Sequence, residues 1–278
     1  MTKTTTRMDY GRRIARVAAY IAEHIDEELT LERLAEVACF SPHHFHRIYR
    51  GLTGETAAET IRRTRLQRAA FDLARSDRPI GSVAQRAGYG SVEAFTRAFA
   101  SDHGLPPAAY RIALIHTWNG DDAMIEVKTT VFDGVRCAAL AHKGPYHTIG
   151  ERFEELTAWA GARNLFAKHR RWFAVYYDDP KSVPEKDLRS DACVEIGPED
   201  PVDGDVRLIE IPPARVAVTV HKGPYAELDR VYDALYGEWL PDSGEEADDR
   251  PCFEQYLNNP RQTPPAELLT AVNLPLRG

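Results

Sequence analysis

Residues Leu34–Gly54 read LAEVACFSPHHFHRIYRGLTG, and residues Val83–Gly104 read VAQRAGYGSVEAFTRAFASDHG. The second stretch repeats the spacing of the first, at an offset of 49 residues up to Tyr89 and of 50 residues from Phe95 onward. In each copy a small residue stands where two short helices must approach, an aromatic residue closes the turn, and apolar residues follow at helical spacing. The pattern predicts two helix-turn-helix motifs.

The second helix of each motif has an apolar face and a polar face. The residues predicted to face inward are Phe45, Ile48 and Tyr49 in the first copy, and Phe95, Ala98 and Phe99 in the second. The outward residues are candidates for DNA contact: His43, His46, Arg47 and Arg50, then Val92, Glu93, Thr96 and Arg97. A single polar helix face is usually only solvated, but the repetition of the whole template favours DNA reading.

These outward side chains suit base edges and phosphates. Arginine binds guanine bidentately, and histidine donates or accepts hydrogen bonds at the floor of the major groove. Glu93 fits less easily, because phosphates repel a carboxylate unless it accepts from a cytosine amino group or pairs with an arginine. Ser91 is placed to cap the second of these helices.

Two further helices are predicted around the motifs. Apolar spacing in residues 12–26 (Ile14, Val17, Ala18, Ile21, Ile25) indicates a bracing helix before the first motif. Between the motifs, residues 56–74 carry an apolar stripe made of Ala58, Ile61, Leu66, Ala69, Ala70 and Leu73. One long helix there would hold the two recognition helices about 34 Å apart, the spacing of successive major grooves in double-stranded DNA.

The chain at this point resembles the AraC/XylS family of bacterial transcription regulators over about residues 20–111. The likeness lies in Ser41-x-x-x-Phe45-x-Arg47, in Ala87-Gly88-Tyr89 through Phe95-x-Arg97-x-Phe99, and in Gly104-x-Pro106-Pro107-x-x-Tyr110-Arg111. It implies base contacts from His43, His46 and Arg47 in the first helix, and from Val92, Glu93, Thr96 and Arg97 in the second. The first-helix histidines and Glu93 depart from a common family pattern, so the target sequence is not carried over.

Charge divides the chain in the same place. Residues 1–111 hold 17 Lys+Arg against 13 Asp+Glu, whereas the remainder holds 18 against 29 within a total of −7. DNA binding is therefore expected in the first part.

The four cysteines (Cys39, Cys137, Cys193, Cys252) are far apart, which suggests reduced core thiols.

Composition also bears on localisation and metal binding. No apolar run is long enough to span a bilayer, and residues 1–10 are too polar for a secretory signal, so a cytoplasmic protein without membrane association is expected. His43, His44 and His46 do not share one helix face, and no metal site or cofactor is predicted.

A second repeat follows residue 124. His142-Lys143-Gly144-Pro145-Tyr146 recurs as His221-Lys222-Gly223-Pro224-Tyr225, displaced by 79 residues. At the same offset Phe153 and Leu156 match Tyr232 and Leu235, and Tyr177 matches Tyr256. Two strand-strand-helix-strand-strand units are predicted, with helices near 148–162 and 225–239. The strands are expected near 124–131, 135–141, 171–177, 191–196, 206–211, 215–220, 252–257 and 268–274. The Gly-Pro-Tyr turns are interpreted as tight bends before a helix.

This part, over about residues 125–277, resembles the gyrase-inhibitor-like effector-binding domain. The likeness lies in the two Lys-Gly-Pro-Tyr sequences, in residues 172–179, and in Phe253-Glu254-x-Tyr256-Leu257-Asn258 leading to Leu274-Pro275-Leu276. It places Glu254 in a groove, where a carboxylate ringed by aromatics would attract organic cations. Candidate ligand-binding aromatics are Tyr146, Trp172, Tyr176, Tyr225 and Tyr256, and Glu195 is a weaker second carboxylate. Alternatively, Glu254 is a rim residue and the aromatics are core.

The sequence thus predicts an all-α paired helix-turn-helix domain (1–111), a linker (112–123) and an α+β domain with a duplicated β-β-α-β-β unit and a mostly antiparallel sheet (124–278). The domain order resembles that of right-origin-binding-protein-like regulators. The expected function is an effector-responsive, sequence-specific DNA-binding transcription regulator, with RNA polymerase as a further partner and a monomer or dimer as its state. We expect no enzyme. The alternatives are a hydrolase with Glu254 as general base, and an architectural DNA binder without an effector.

Overall fold

A computed structural model describes residues 3–118, 125–168 and 170–278. The helices are α1 (Lys3–Glu23), α2 (Leu31–Val37), α3 (Pro42–Thr53), α4 (Ala57–Arg75), α5 (Ile80–Arg86), α6 (Val92–His103), α7 (Pro107–Trp118), α8 (Gly150–Ala162), α9 (Leu228–Ala234) and α10 (Leu240–Ser243). The strands are β1 (Lys128–Phe132), β2 (Val135–Lys143), β3 (Trp172–Tyr176), β4 (Arg189–Glu195), β5 (Arg207–Ile211), β6 (Ala214–Lys222), β7 (Cys252–Tyr256) and β8 (Leu269–Pro275).

The chain divides into two compact units, each made of two separate stretches of sequence. The first unit comprises Met1–Ile61 and Gly134–Pro212, and the second comprises Arg62–Asp133 and Pro213–Gly278. Each unit therefore contains one helix-turn-helix motif together with one half of the duplicated α+β fold.

The two units use the same strand arrangement. In the first unit, antiparallel strands lie in the order β3-β4-β2-β5, and in the second they lie in the order β7-β8-β6-β1. The edge strand of each unit comes from the other sequence repeat, since β5 pairs with β2 and β1 pairs with β6. In the β2–β5 pair Cys137 lies opposite Ile209, and in the β1–β6 pair Thr130 lies opposite Val216.

The predicted fold class is confirmed: helices carrying two helix-turn-helix motifs precede a duplicated antiparallel β-β-α-β-β unit. Four of the six residues predicted to face inward on the recognition helices are fully buried, Phe45, Tyr49, Phe95 and Phe99, whereas Ile48 and Ala98 are half-buried. Predicted strand ends differ from the observed ones by at most four residues.

Several local predictions are corrected. The bracing helix begins at Lys3 and ends at Glu23, three residues before the predicted end. In the first turn of α4 the buried alanine is Ala57, while Ala58, predicted on the apolar stripe, is exposed. Helix α7 continues to Trp118 through the first part of the predicted linker, because residues 107–118 contain no helix breaker after Pro107. The remainder of that linker, 119–123, lies outside the described residues.

The two repeats differ by one residue between the helix and the strand that follows it. A π-helical turn, Leu235–Trp239, lies between α9 and α10 in the second repeat. A π turn holds one more residue than an α turn, so the offset changes from 79 to 80 in this interval. As a result Tyr176 is the counterpart of Tyr256, and the predicted match of Tyr177 with Tyr256 is wrong.

In the first unit, the helix-turn-helix motif packs directly on α8. Ala158 of α8 is buried in the hydrophobic cluster that includes Ile14 and Phe45. A Cβ added at Gly161 would lie 2.1 Å from the Leu52 carbonyl oxygen at the end of α3, so only glycine fits this contact.

The α1 side of this contact is equally close. A Cβ added at Gly11 would lie 2.3 Å from the Ala162 Cβ, and the Arg7 guanidinium donates to the Gly161 carbonyl oxygen at 2.8 Å. Helices α1 and α3 are thus fixed on α8 at a backbone approach that depends on two glycines.

Replacing Gly161 with alanine should destabilise the protein, because the new methyl group would lie 2.1 Å from a backbone oxygen, which cannot swing aside as a flexible side chain can. Overpacking of this kind costs about 1–3 kcal/mol, measured as a lower urea midpoint with an unchanged m-value. Gly51→Ala is the matched control: it lies in α3 with nothing within 4 Å of the added Cβ. It should raise stability by about 0.5–1 kcal/mol through helix propensity. Equal midpoints for Gly161→Ala and the wild type would refute this packing.

Candidate nucleic-acid interface and effector site

The two helix-turn-helix motifs are built on the same backbone turn. In the first, the Phe40 N–H donates to the Ala35 carbonyl at 2.9 Å, and in the second the Tyr89 N–H donates to the Ala84 carbonyl at 3.0 Å. The small residues at these positions let the two helices approach closely, and both alanines are 1 % exposed. The same backbone hydrogen bond therefore forms at the equivalent position of both sequence repeats.

The residue before each turn aromatic has a positive φ, 54° at Cys39 and 83° at Gly88. Glycine adopts this conformation freely, whereas cysteine does so at a cost of roughly 1 kcal/mol. At Gly88 space also matters, since an added Cβ would lie 2.4 Å from an Arg65 guanidinium nitrogen. Cys39 is exposed, so the expectation of a core thiol is wrong for this residue; the other three cysteines are buried.

Serine side chains begin both recognition helices. The Ser41 Oγ accepts from the His44 N–H at 3.4 Å, and the Ser91 Oγ accepts from the Ala94 N–H at 3.2 Å. Each helix ends at a glycine in the left-handed conformation, Gly54 for α3 and Gly104 for α6. These caps satisfy backbone groups at both ends and set the length of each helix independently of DNA.

The predicted DNA-contacting side chains lie on the outward faces. All four on α3 are exposed: His43, His46, Arg47 and Arg50. On α6, Val92, Glu93 and Arg97 are exposed and Thr96 is half-buried. Equivalent phenylalanines, Phe45 and Phe95, are fully buried on the opposite sides of these helices.

The predicted carboxylate Glu254 is enclosed rather than lying on a rim. It is 2 % exposed on β7. Its Oε1 accepts from the Tyr232 hydroxyl at 3.1 Å, and its Oε2 accepts from the Tyr256 hydroxyl at 3.0 Å. The Tyr225 ring stands edge-on to the Tyr256 ring at a centroid distance of 5.4 Å. Burial first, and the Glu254 charge second, raise the pKa of Tyr225.

A buried cysteine adjoins this carboxylate. The Cys252 Sγ lies 2.9 Å from the Tyr236 hydroxyl, which comes from the π-helical turn. Burial raises the pKa of Cys252 to about 11 and keeps it a thiol. Tyr232 and Tyr236 together place the α9 segment over the helix-facing side of β7.

The first unit lacks this carboxylate at the equivalent position. Ala174 stands where the second unit has Glu254, and Phe153 stands where it has Tyr232. Tyr146 and Tyr176 still meet, at a centroid distance of 4.8 Å. The hydroxyl of Tyr146 donates to the Asp178 carbonyl at 2.7 Å, which ties this tyrosine to the neighbouring loop.

The two remaining predicted ligand residues have other neighbours. Glu195 accepts from the Arg171 guanidinium with both oxygens, at 3.1 and 3.2 Å, and this ion pair lowers the pKa of Glu195. Trp172 lies against Phe153 and Phe166, each at a centroid distance of 6.2 Å. Of the seven candidates, the structure brings Glu254, Tyr256 and Tyr225 into one cluster in the second unit.

Sequence reasoning missed Tyr232 as a partner of Glu254. The offset of 79 predicted from the sequence matches Glu254 with Val175, and only the observed offset of 80 aligns Glu254 with Ala174. Sequence reasoning also missed Asp191, which is fully buried on β4 and accepts from the Tyr177 hydroxyl and the Arg207 guanidinium. This second buried carboxylate is charge-paired with Arg207.

The histidines before the Gly-Pro-Tyr turns have internal partners. The ring of His142 lies 2.9 Å from the Ser190 hydroxyl and 2.8 Å from the Thr148 hydroxyl, and burial lowers its pKa to about 4. A Cβ added at Gly223 would lie 2.8 Å from the His221 ring. These contacts fit the interpretation of both turns as tight bends before a helix.

The second unit joins the Glu254 cluster to the second helix-turn-helix motif. Tyr225 contacts Tyr256, and the next residue, Ala226, is buried in the hydrophobic cluster that contains Phe95 and Tyr110. On α9, Asp229 is ion-paired with Arg75 of α4. Tyr225 thus contacts the carboxylate cluster, and the next residue, Ala226, lies in the core of the second helix-turn-helix motif.

Two findings concern membranes and metals. None of the helices within the described ranges is both long and apolar enough to cross a membrane. Across those same ranges, no three or more His, Cys, Asp or Glu side chains are grouped so that they could hold a metal ion.

The geometry defines a class of protein: two repeated helix-turn-helix motifs joined to a duplicated α+β fold with a buried carboxylate. Residues 126–277 match the GyrI-like small molecule binding domain, and residues 34–113 match a helix-turn-helix domain. The chain belongs to the GyrI-like family and carries an AraC-type helix-turn-helix region before that domain. It is a DNA-binding transcription regulator of the AraC type with a small-molecule binding domain.

Individual relatives divide between the two parts. A DNA gyrase inhibitor of Enterobacter lignolyticus is 33 % identical over 123 residues, covering 43 % of this chain and 77 % of that protein. The regulatory protein SoxS of Escherichia coli is 34 % identical over 104 residues, covering 37 % of this chain and 97 % of that protein. A crystal structure of the DNA-binding domain of AdpA with a target DNA is 35 % identical, covers 37 % of this chain and 94 % of that chain, and has a TM-score of 0.36.

Proposed function

We propose that the chain regulates transcription by reading a two-part DNA site with α3 and α6, and that a small hydrophobic or cationic effector at Glu254 alters this reading. The observation that carries the proposal is the repetition of a complete, capped helix-turn-helix whose second helix exposes hydrogen-bonding side chains. Residues 1–111 form the DNA-reading part and 124–278 the effector part. The protein acts in the cytoplasm, as a monomer or dimer, with double-stranded DNA and RNA polymerase as its macromolecular partners.

The DNA-reading residues divide by chemistry. Arg47 and Arg97 occupy the same position of the two recognition helices and suit the O6 and N7 atoms of guanine. His43 and His46 add hydrogen bonds in the first groove. Arg50, near the end of α3, is placed for a phosphate, and phosphate contacts make affinity fall with salt concentration. Similarity to the regulatory protein SoxS supports this role for the first part.

Replacing Arg47 with alanine should weaken binding to the selected site by about 1–3 kcal/mol, because a bidentate contact to guanine is lost. Competition binding at fixed salt measures the change. Arg16→Ala is the matched control: it removes the same charge from an exposed position on α1, outside both recognition helices, and should alter affinity by less than about 0.5 kcal/mol. Operator affinity that survives Arg47→Ala would remove Arg47 from the base-reading surface.

The effector site rests on the Glu254 cluster. A cation beside the edge-on pair of Tyr225 and Tyr256 rings would gain both attraction to the carboxylate and cation-π contact. Because Glu254 is 2 % exposed, such a ligand must displace a tyrosine hydroxyl, and Tyr232 on α9 is the donor that a movement of that segment would withdraw. The GyrI-like match supports a binding role for this part rather than a catalytic one.

Glu254→Gln should weaken the binding of aromatic quaternary ammonium compounds at least tenfold, about 1.4 kcal/mol, while leaving their uncharged tert-butyl analogues unaffected. The amide keeps the shape of the site and removes the charge. Glu210→Gln, an exposed glutamate on β5, is the control for net charge. Calorimetric titration of the wild type and of both variants with the two kinds of compound measures these affinities. Consumption of the ligand by the wild type and not by Glu254→Gln would instead support the hydrolase alternative.

The route from effector to DNA runs within the second unit. The turn Tyr225–Glu227 has one residue on the Glu254 cluster and the next in the core beneath α6. A ligand that shifts this turn must change the packing of the second motif, and coupling between two sites of this kind is typically about 5-fold to 150-fold in affinity. Thermodynamic reciprocity requires DNA to change ligand affinity by the same factor.

A duplex carrying only the half-site read by α6 should therefore change ligand affinity by the same factor as the complete site. A duplex carrying only the half-site read by α3 should change it less, because the Glu254 cluster shares its compact unit with the second motif. Ligand titrations of the two complexes and of the free protein measure the three affinities. Equal effects of the two half-sites would contradict coupling through Tyr225–Glu227.

A further inference from the structure

The two recognition helices carry the same arginine but different hydrogen-bonding groups one turn earlier. Counted from the capping serines, Arg47 and Arg97 occupy one position, and His43 and Glu93 occupy another. All four side chains are exposed. Position 43 can donate a hydrogen bond from its ring, whereas an ionised carboxylate at position 93 only accepts.

Among the residues that the structure describes, Glu93 has no ion-pair partner that would neutralise its charge. Arg97 lies one turn further along the same face, yet in the part of the chain that the structure describes neither side chain forms an ion pair. The carboxylate near the capped start of α6 would therefore enter the major groove as an unpaired negative charge. Phosphates on both sides repel it, so DNA binding must supply a hydrogen-bond donor or lose affinity.

The major groove offers two amino donors, on cytosine N4 and on adenine N6. The adenine amino group lies between two acceptors on the groove edge, its own N7 and the thymine O4, and both repel a carboxylate, whereas the cytosine amino group has an acceptor on one side only, the O6 of its paired guanine. Cytosine is therefore the base that Glu93 suits. The same carboxylate penalises every site without that donor, and such a penalty is a source of specificity.

Val92 adds a second difference between the helices. It is the first residue of α6 and is 41 % exposed, and its counterpart at the start of α3 is Pro42. An exposed apolar side chain at the start of a recognition helix has one apolar partner on the groove edge, the methyl group of thymine. The second helix thus combines an acceptor and an apolar contact where the first has a donor and a proline.

We propose that the two half-sites are chemically different: both contain a guanine read by arginine, but only the half-site read by α6 contains a cytosine selected by Glu93, with a thymine beside Val92. This inference rests on the proposed function, since it assigns base identity within the same DNA-reading site. The asymmetry gives the complete site a direction, so a single chain binds it in one orientation.

The test is selection of bound duplexes from a random library by the full chain, with the wild type, Glu93→Gln and Glu28→Gln. Glutamine pairs bidentately with adenine through N6 and N7, so Glu93→Gln should change the selected cytosine to adenine and leave the other half-site unaltered. In direct competition, the preference for cytosine should change by about 5-fold to 150-fold. Glu28→Gln removes the same charge from an exposed loop position and should select the wild-type motif.

A second measurement tests the effect of the Glu93 charge without relying on the selected DNA motif. Affinity for unrelated duplex DNA should rise in Glu93→Gln, because the repelling charge is gone, and its unfolding midpoint should match that of the wild type, since the side chain is exposed. A wild-type bipartite motif that keeps its cytosine in Glu93→Gln would overturn the inference and leave the paired reader standing. No bipartite motif in the wild type would overturn both.

Discussion

Shared burial between each helix-turn-helix motif and one half of the α+β fold is the constraint on which the other features depend. In the first unit Ala158 of α8 is enclosed with Phe45 and Ile14, and in the second unit Ala226 is enclosed with Phe95 and Tyr110. A short motif of three helices has little core of its own, and each recognition helix gains much of its buried support from the neighbouring half-fold. The DNA-reading helices are therefore not independent of the effector-binding half.

The contacts that join the helix-turn-helix motif to its half of the α+β fold differ between the two units. In the first, glycines allow backbone approach, with Gly161 against the Leu52 carbonyl. In the second, a three-residue turn inserts Ala226 into the core, and the Arg75–Asp229 ion pair adds an exposed contact of small energy. A close backbone contact resists movement, whereas a short turn beside a ligand cluster can shift. The second unit is therefore the better candidate for transmitting an effector signal.

Differences between equivalent positions of the repeats account for the chemistry of both functional parts. Phe153 and Ala174 in one repeat correspond to Tyr232 and Glu254 in the other, so one repeat has an apolar pair where the other has a hydrogen-bonded pair with a carboxylate. The recognition helices diverged in the same manner at positions 43 and 93. The repeated framework keeps the backbone, and substitutions at equivalent positions give each copy its own partner.

The sequence by itself determined the two repeats, the helix-turn-helix motifs, the β-β-α-β-β units and the outward faces of α3 and α6, because local periodicity and turn residues fix these features. It also identified Glu254, Tyr225 and Tyr256, which meet in one cluster. Only the tertiary structure decided that the edge strands are exchanged, that Glu195 is held by Arg171 and that Tyr232 is bound to Glu254. Strand pairing and side-chain contacts join residues far apart in the chain, and the free energy of burial that selects them depends on the assembled core rather than on neighbouring residues.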